Sequence, residues 1–137
     1  MNLNESELMY RKMAVQDASP AGLVVILYDV LVGDMAKAIE AIGTNEICKR
    51  SEHVKHALLV LQQLEGSLDM EHGAETAKSL VQFYSYIRAR LMDAHLKTSA
   101  LILQQLIELV LGVREAWQQL DSPSVQAGRF SKPTPAA

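Results

Sequence analysis

The chain of 137 residues has one cysteine and four prolines, and both scarcities narrow its class. Cys48 alone cannot close an intrachain disulfide or build a cluster of thiolates around a metal, and this usage is typical of a reducing compartment. Three of the four prolines come after Asp121, in a stretch without periodicity. We therefore expect a cytoplasmic protein, with a disordered tail over residues 122–137.

Long apolar runs and an excess of positive charge are also missing. The longest uninterrupted runs, residues 23–28 and 57–61, fall far short of the roughly 20 residues that span a bilayer. Glu5 and Glu7 precede any apolar run, which is unlike a secretory signal. The formal net charge of −3 gives no basic footprint for a phosphate backbone. We expect a soluble protein that neither inserts into a membrane nor binds nucleic acid.

Residue patterns that carry catalysis or hold a cofactor are absent as well. His53 and His56 have a spacing that metal sites use, but no third ligand candidate lies near them in sequence, so we interpret them as solvated surface residues. No Glu-x-x-His motif of the di-iron bundles occurs, the seven glycines are scattered, and Cys48 has no nucleophile signature around it. We expect no enzymatic activity, no metal and no cofactor.

The sequence is rich in apolar residues but poor in aromatic ones. Hydrophobic residues make up 49% of the chain but aromatic residues only 5%, so Leu, Val, Ile, Ala and Met dominate. Ala, Leu and Met lie at the favourable end of the helix propensity scale. The composition therefore favours helices.

Apolar positions recur at helical spacing in four segments. Ser19-Pro20 predicts the start of the first helix, α1, over about residues 20–43, with Gly43 as a left-handed stop. Thr44 or Asn45 is the predicted cap of the second, α2, which carries the apolar positions Ile47, Val54, Leu58, Leu61, Leu64 and Leu68.

The second half of the chain repeats this organisation. Residues 69–73 are the predicted connection to α3, which carries apolar positions from Ala77 to Ala94. Thr98-Ser99 then supplies capping residues before α4, over about residues 100–120.

Four helices with short connections bury their stripes as an up-down bundle, because short loops force antiparallel neighbours. We predict an all-α fold, an antiparallel four-helix bundle in one domain over residues 1–121. Residues 1–18 form a short N-terminal helix or segment of that domain, and residues 122–137 are the tail.

Helices α1 and α4 have more apolar residues than one buried stripe needs. The stripes assigned to the core are Leu23, Leu27, Leu31, Met35, Ala38 and Ile42 in α1, and Ile102, Leu106, Leu109, Val113 and Trp117 in α4. The outward sets are Val24, Tyr28, Val32, Ala36 and Ile39 in α1, and Leu103, Ile107, Val110 and Leu111 in α4. The first and last helices of such a bundle are neighbours, so the outward sets could form one groove for a partner helix. Residues 1–18 or a homodimer are alternative covers.

Asp29 and Asp34 lie within the apolar part of α1. A buried carboxylate is costly unless it is paired. Each of these residues is therefore either turned to solvent or held by a basic partner, for which Arg88, Arg90 and Arg114 are the candidates.

Several motifs resemble the flagellar secretion chaperone family, usually called FliS. Ser19-Pro20 leading into Leu27-Tyr28-Asp29 resembles the opening helix of the family, and residues 64–73 resemble its leucine-rich helix end followed by a Leu-Asp-x-Glu-x-Gly connection. Further positions follow in the family's order: Leu80, Tyr84, Tyr86, Arg90, Leu91, Ala94 and Ala116-Trp117. Tyr10, with Lys12 two residues later, resembles its N-terminal tyrosine segment. The similarity covers about residues 10–120.

The resemblance implies a helical bundle in the cytosol that binds the disordered C-terminal region of flagellin. It also implies that the chaperone prevents premature polymerisation and delivers flagellin to the flagellar export gate, part of the type III export apparatus. In the family the bound segment occupies apolar grooves, and the N-terminal segment can cover part of that surface in the free protein. Together with the outward sets, this gives the predicted contact residues Tyr10, Val24, Tyr28, Val32, Leu103, Ile107, Val110 and Leu111. The alternative function is a helical homo-oligomer whose groove is covered by an identical subunit.

Three positions depart from the family pattern. Val30 stands where the family usually has Gly, Ser85 where Asp is usual, and Ala74 replaces the second of two glycines. Val30 adds apolar bulk to α1, and Ser85 removes a charge, so a salt bridge of the family is expected to be missing.

Overall fold

The computed structural model describes residues 19–68 and 73–120, which form four α-helices and no strand. They are α1 (Pro20–Gly43), α2 (Ile47–Gly66), α3 (Ala74–Lys97) and α4 (Ala100–Leu120). The predicted all-α helical bundle is confirmed. The predicted N-terminal segment over residues 1–18, most of the connection before α3 and the tail over residues 122–137 lie outside the described residues.

The chain divides into two compact units. One comprises Met1–Ile26 and Val113–Ala137, and the other is Leu27–Gly112. Of the first unit the structure describes the initial turns of α1, with half-buried apolar residues at positions 23–26, and the last turns of α4, in which Val113 and Trp117 are half-buried. The second unit holds the larger parts of all four helices.

Serine residues cap two helices as the sequence predicts. The Ser19 hydroxyl accepts a hydrogen bond from the Gly22 amide at 3.0 Å, and the Ser99 hydroxyl accepts one from the Ile102 amide at 3.1 Å. Each bond satisfies an amide that has no partner in the first turn of its helix. Thr98, between α3 and α4, adopts the left-handed conformation with φ 51°.

The corner between α1 and α2 differs from the prediction. Gly43 does not have a positive φ, and the left-handed residue is Asn45, with φ 60°. The residue before α2 is Glu46, whose side chain makes no capping hydrogen bond. The Thr44 hydroxyl instead donates back to the carbonyl groups of Glu40 and Ala41, so it closes α1 and does not cap α2. Helix α1 therefore continues through Gly43.

The core of the second unit contains residues from all four helices. Its largest fully buried side chains are Tyr28, Leu31 and Met35 of α1, Leu61 and Leu64 of α2, Tyr84, Ile87 and Leu91 of α3, and Leu103, Leu106 and Val110 of α4. The predicted stripe of α3 is buried at each position except Leu80, which is half-buried. In α2 the prediction fails at Ile47, which is largely exposed because it is the first residue of the helix.

Two side-chain contacts establish the relative direction of α2 and α3. An Arg88 guanidinium nitrogen lies 2.5 Å from Glu65 Oε1, near the end of α2, and Arg50 Nη1 donates to Thr98 Oγ1 at 3.2 Å, near its start. The residue numbers rise along α2 while those of their partners fall along α3. The two helices are therefore antiparallel, as predicted.

Candidate functional site

A pair of tyrosines joins α1 to α3 inside the core. The hydroxyl groups of Tyr28 and Tyr84 are 2.8 Å apart and hydrogen-bonded, and the rings meet edge to face with their centroids 6.2 Å apart. Both side chains are almost completely removed from solvent. Tyr28 was predicted to contact a partner. The structure places it in the core, because its ring and hydroxyl are matched there by Tyr84.

Burial and the Tyr28 hydrogen bond together raise the pKa of Tyr84 well above the ordinary value for tyrosine. Burial is the larger cause, because a phenolate would lose its hydration without gaining a cationic partner. Tyr84 is therefore a neutral structural residue over the physiological pH range.

Helix α4 is rotated relative to its predicted orientation. Leu103, Ile107 and Val110, which were assigned to the outward set, are buried in the core, whereas Leu109 from the predicted core stripe is exposed. Ile102 and Leu106 remain buried. The core-facing side of α4 is thus centred between the two predicted stripes. Periodicity could not resolve this, since both stripes are equally apolar and the packing of the other helices decides which arc is buried.

The remaining predicted contact residues have different surroundings. Val24 and Val32 of α1 are half-buried, and Leu111 of α4 is 43% exposed. Ala36 is exposed and Ile39 half-buried, on the same side of α1 as Val32. Tyr10 lies outside the described residues. Of the eight predicted contact residues, Val24, Val32 and Leu111 are those that the structure leaves accessible within the described ranges.

Asp34 is a buried carboxylate that connects α1 to α2. Its Oδ2 lies 2.5 Å from Nδ1 of His56, and its Oδ1 lies 3.9 Å from Nδ1 of His53. The His56 contact is a short hydrogen bond, whereas the His53 distance allows only an electrostatic interaction when the imidazole is protonated. His56 is exposed and His53 half-buried, so both lie at the surface as interpreted, but Asp34 binds His56 and lies close to His53, which the sequence did not predict.

The arginines that were proposed as partners of Asp34 bind other groups. Arg88 pairs with Glu65, and Arg90 pairs with Asp93 one turn away at 3.0 Å. Arg114 donates to the Gln118 side chain. Because α1 and α2 form a hairpin around residues 44–46, residues at equal distances from that corner face each other. Positions 34 and 56 satisfy this condition, and this spacing is the sequence signal that would have predicted the pair.

The departures from the family pattern fall at varied positions. Val30 is half-buried on α1, Ser85 is exposed on α3, and Ala74 is the exposed first residue of α3.

In the described ranges no group of three or more His, Cys, Asp or Glu side chains is arranged to hold a metal ion. Cys48 is exposed. No helix in these ranges has the length and apolar content that crossing a membrane requires.

The fold and the surface define a class of protein: a small helical bundle whose first and last helices carry accessible aliphatic residues. The whole sequence supports a closer assignment, because residues 2–124 match the family described as flagellar protein FliS. The chain belongs to the FliS family.

Relatives from several bacteria match most of this chain. The flagellar secretion chaperone FliS of Salmonella typhimurium is 29% identical over 108 residues, which cover 78% of this chain and 80% of that protein. The flagellar secretion chaperone FliS of Vibrio cholerae is 27% identical over 81% of this chain and 85% of its own length. The flagellar secretion chaperone FliSB of Pseudomonas aeruginosa is 29% identical over 75% of this chain and 82% of its own length. This chain is therefore similar to proteins named as chaperones.

Proposed function

We propose that this protein is a cytosolic export chaperone that binds the disordered C-terminal region of flagellin. Binding keeps flagellin from polymerising before export, and the complex then reaches the flagellar type III export gate. The observation that carries the proposal is the match to the FliS family over residues 2–124. The names of the relatives as flagellar secretion chaperones support it.

The surface of α1 and α4 is compatible with this activity. Val32 and Ile39 lie seven residues apart on one side of α1 with the exposed Ala36 between them, and Leu111 is exposed on α4. Burial of each large aliphatic side chain stabilises a complex by up to about 1.5–3 kcal/mol before association costs. Val32, Ala36, Ile39 and Leu111 are therefore the proposed flagellin surface, with Val24 and Tyr10 as further contact residues.

The test is calorimetric titration of the full chain with a synthetic flagellin C-terminal peptide. We expect micromolar or tighter binding, roughly −8 kcal/mol. Val32→Glu and Leu111→Glu should each weaken it about tenfold or more while helical circular dichroism is retained, because a carboxylate cannot be buried unpaired. Leu59→Glu, an equally drastic change at an exposed position of α2, is the matched control and should leave affinity unchanged. An absence of binding at tens of micromolar contradicts the proposal.

We also propose that the free protein can cover this surface by pairing with an identical chain. Sedimentation across a concentration range, with and without the peptide, tests this. If the same surface serves both partners, the peptide dissociates the dimer. A dimer that persists with saturating peptide would place the self-association elsewhere.

A further inference from the structure

Two hydrogen bonds from α1 reach two different helices. The Tyr28 hydroxyl is bonded to the Tyr84 hydroxyl of α3 at 2.8 Å. The Asp34 carboxylate is bonded to His56 Nδ1 of α2 at 2.5 Å. Tyr28 and Asp34 are both buried. Because hydrogen bonds are directional, the two bonds together constrain how α1 is turned about its own axis.

The core side of α1 lies between these two residues. At 100° per residue, Tyr28 and Asp34 are about 120° apart around the helix. The side chains between them include Leu31, Met35 and Ala38, and each of these is at most 1% exposed. The two hydrogen-bonded residues are therefore close to the two edges of the buried arc.

The α1 part of the proposed flagellin surface begins next to Tyr28, on the side away from Asp34. Ile39, Val32 and Ala36 follow Tyr28 at about 20°, 40° and 80° around the helix. Ile39 and Val32 are half-buried, and Ala36 is exposed. Apolar side chains thus continue from the core side of α1 into the accessible side.

Apolar burial by itself does not select this rotation of α1. A turn of about 60° about the helix axis would bring Val32 and Ile39 into the core beside Met35. Both rotations bury mainly aliphatic side chains, and the hydrophobic effect is non-directional. A turn in the opposite direction would bring the Lys37 ammonium towards the core, which is costly. The competing rotation is therefore the one that hides the flagellin surface.

The two hydrogen bonds distinguish these rotations. A turn of about 60° moves the Cα atoms by about 2 Å and the ends of the side chains further, which is enough to break both bonds. Tyr28 would then be buried away from the Tyr84 hydroxyl, and Asp34 would lose its charge-assisted bond to His56. Both losses favour the rotation that the structure shows.

Resting on the function proposed above, we propose that Tyr84 and His56 are positioning residues for flagellin binding. Through their bonds to Tyr28 and Asp34 they hold α1 in the rotation that keeps its flagellin surface accessible. Without these bonds α1 also populates the rotation that takes this surface into the core. Flagellin then binds only the fraction of chains in the first rotation, so the apparent affinity falls by that fraction.

The test combines Tyr84→Phe with His56→Ala, two changes outside α1 and outside the proposed flagellin surface. Calorimetric titration with the flagellin C-terminal peptide should show a loss of about fivefold or more in the double variant and less than about twofold in each single variant. His56→Asn in place of His56→Ala should restore most of the affinity, because the amide can still donate to Asp34. Circular dichroism checks that each variant is folded.

Thiol reactivity measures the rotation of α1 without a partner. Cys48→Ser removes the native exposed thiol. Ala36→Cys and Ala38→Cys then place a single thiol on the exposed or on the buried side of α1, about 160° apart. With Tyr84 and His56 intact, the thiol at position 36 should react with a disulfide reagent at least about a hundredfold faster than the one at position 38. In the double variant this ratio should fall by about tenfold or more, because position 38 is exposed part of the time.

Arg50→Met is the matched control. It removes the hydrogen bond from Arg50 to the Thr98 hydroxyl, a polar contact at the α2–α3 pair that does not involve α1. It should leave both the affinity and the thiol ratio unchanged, even where the stability of the protein falls.

The proposal requires both changes in the double variant. A change in the affinity alone, or in the thiol ratio alone, would contradict it, and so would equal changes in Arg50→Met. If the double variant does not fold, an unchanged thiol ratio in both single variants would contradict it instead. If the peptide does not bind even the unaltered chain while the thiol ratio falls as expected, the proposed function fails and the control of α1 rotation stands.

Discussion

Asp34 is the buried charged side chain in the described part of the chain, and its position on α1 has an energetic consequence. A carboxylate is costly to bury without a partner. The short contact to His56 offsets this cost and links α1 to α2, but the His56 side chain is 54% exposed, so solvent screens the pair. The link should therefore stabilise the hairpin moderately.

Replacement of Asp34 tests the link. Asp34→Asn should lower the free energy of unfolding by about 1–2 kcal/mol, because the charged hydrogen bond with His56 is lost. His56→Gln should cost less in the Asp34→Asn background than in the wild type. Urea denaturation measures each value, and Glu40→Gln, an exposed carboxylate change on the same helix, should have almost no effect. Additive losses for Asp34 and His56 would contradict the link.

Tyr84 is the second residue whose environment gives a measurable prediction. Its raised pKa means that the folded protein keeps this proton above pH 10, whereas the unfolded chain releases it. The native state then binds more protons than the unfolded state, and the free energy of unfolding falls as pH rises. This contribution is complete below about pH 10 and is lost above it, by up to about 1.4 kcal/mol per pH unit.

The comparison of Tyr84→Phe with Tyr86→Phe isolates this effect. At neutral pH Tyr84→Phe should be about 1 kcal/mol less stable than the wild type, because the hydrogen bond with Tyr28 is lost. Above pH 10 the difference should shrink, since the variant has no Tyr84 phenol to release a proton on unfolding. Tyr86 is 51% exposed, so Tyr86→Phe should follow the wild type. Chemical denaturation between pH 7 and 11 measures both, and parallel pH profiles for wild type and Tyr84→Phe would refute the expectation.

At the level of elements, the end of α1 shows whether Gly43 is a left-handed stop or an ordinary helical residue. A Cβ added to Gly43 would meet no atom within 4 Å, and the backbone there has no positive φ. Asn45 takes the left-handed conformation instead, which alanine adopts with difficulty. The left-handed residue that follows α1 is therefore Asn45, two residues after Gly43.

Alanine substitutions at these two positions should have opposite effects. Gly43→Ala should stabilise the protein by about 0.5–1 kcal/mol, because glycine is unfavourable in a helix. Asn45→Ala should destabilise it by about 1–2 kcal/mol, because its backbone is strained for a residue with a Cβ. Thermal unfolding measures both changes. A loss of stability in Gly43→Ala would restore Gly43 as the left-handed stop.

At the scale of the whole molecule, the orientation of α4 decides which aliphatic residues form the core and which are available to a partner. Leu103 is 1% exposed, and the structure leaves Leu111 on the same helix accessible. Leu103→Ala should lower the free energy of unfolding by about 2–4 kcal/mol through the cavity it creates, and Leu111→Ala by less than about 1 kcal/mol. Denaturant midpoints give the comparison. Similar losses at the two positions would contradict the observed rotation.

Much of this architecture could be predicted before the structure. The Ser19 and Ser99 caps, the four helices and the buried stripe of α3 follow from local rules, because capping and helical periodicity depend on residues within a few positions of each other. Of the apolar residues predicted to face outward on α1 and α4, only some are accessible. Val32 and Leu111 are accessible, whereas Tyr28, Leu103, Ile107 and Val110 belong to the core.

The sequence by itself determined the helical class, the helix starts at Pro20 and Ala100, and through its family motifs the relationship to flagellar chaperones. Only the tertiary structure decided the rotation of α4, the pairing of Asp34 with His56 and the burial of Tyr28 against Tyr84. The physical reason is the same for all three. Each depends on which residues from distant parts of the chain share a packed interior, and periodicity gives the spacing of apolar residues along a helix but not the direction in which that helix turns them.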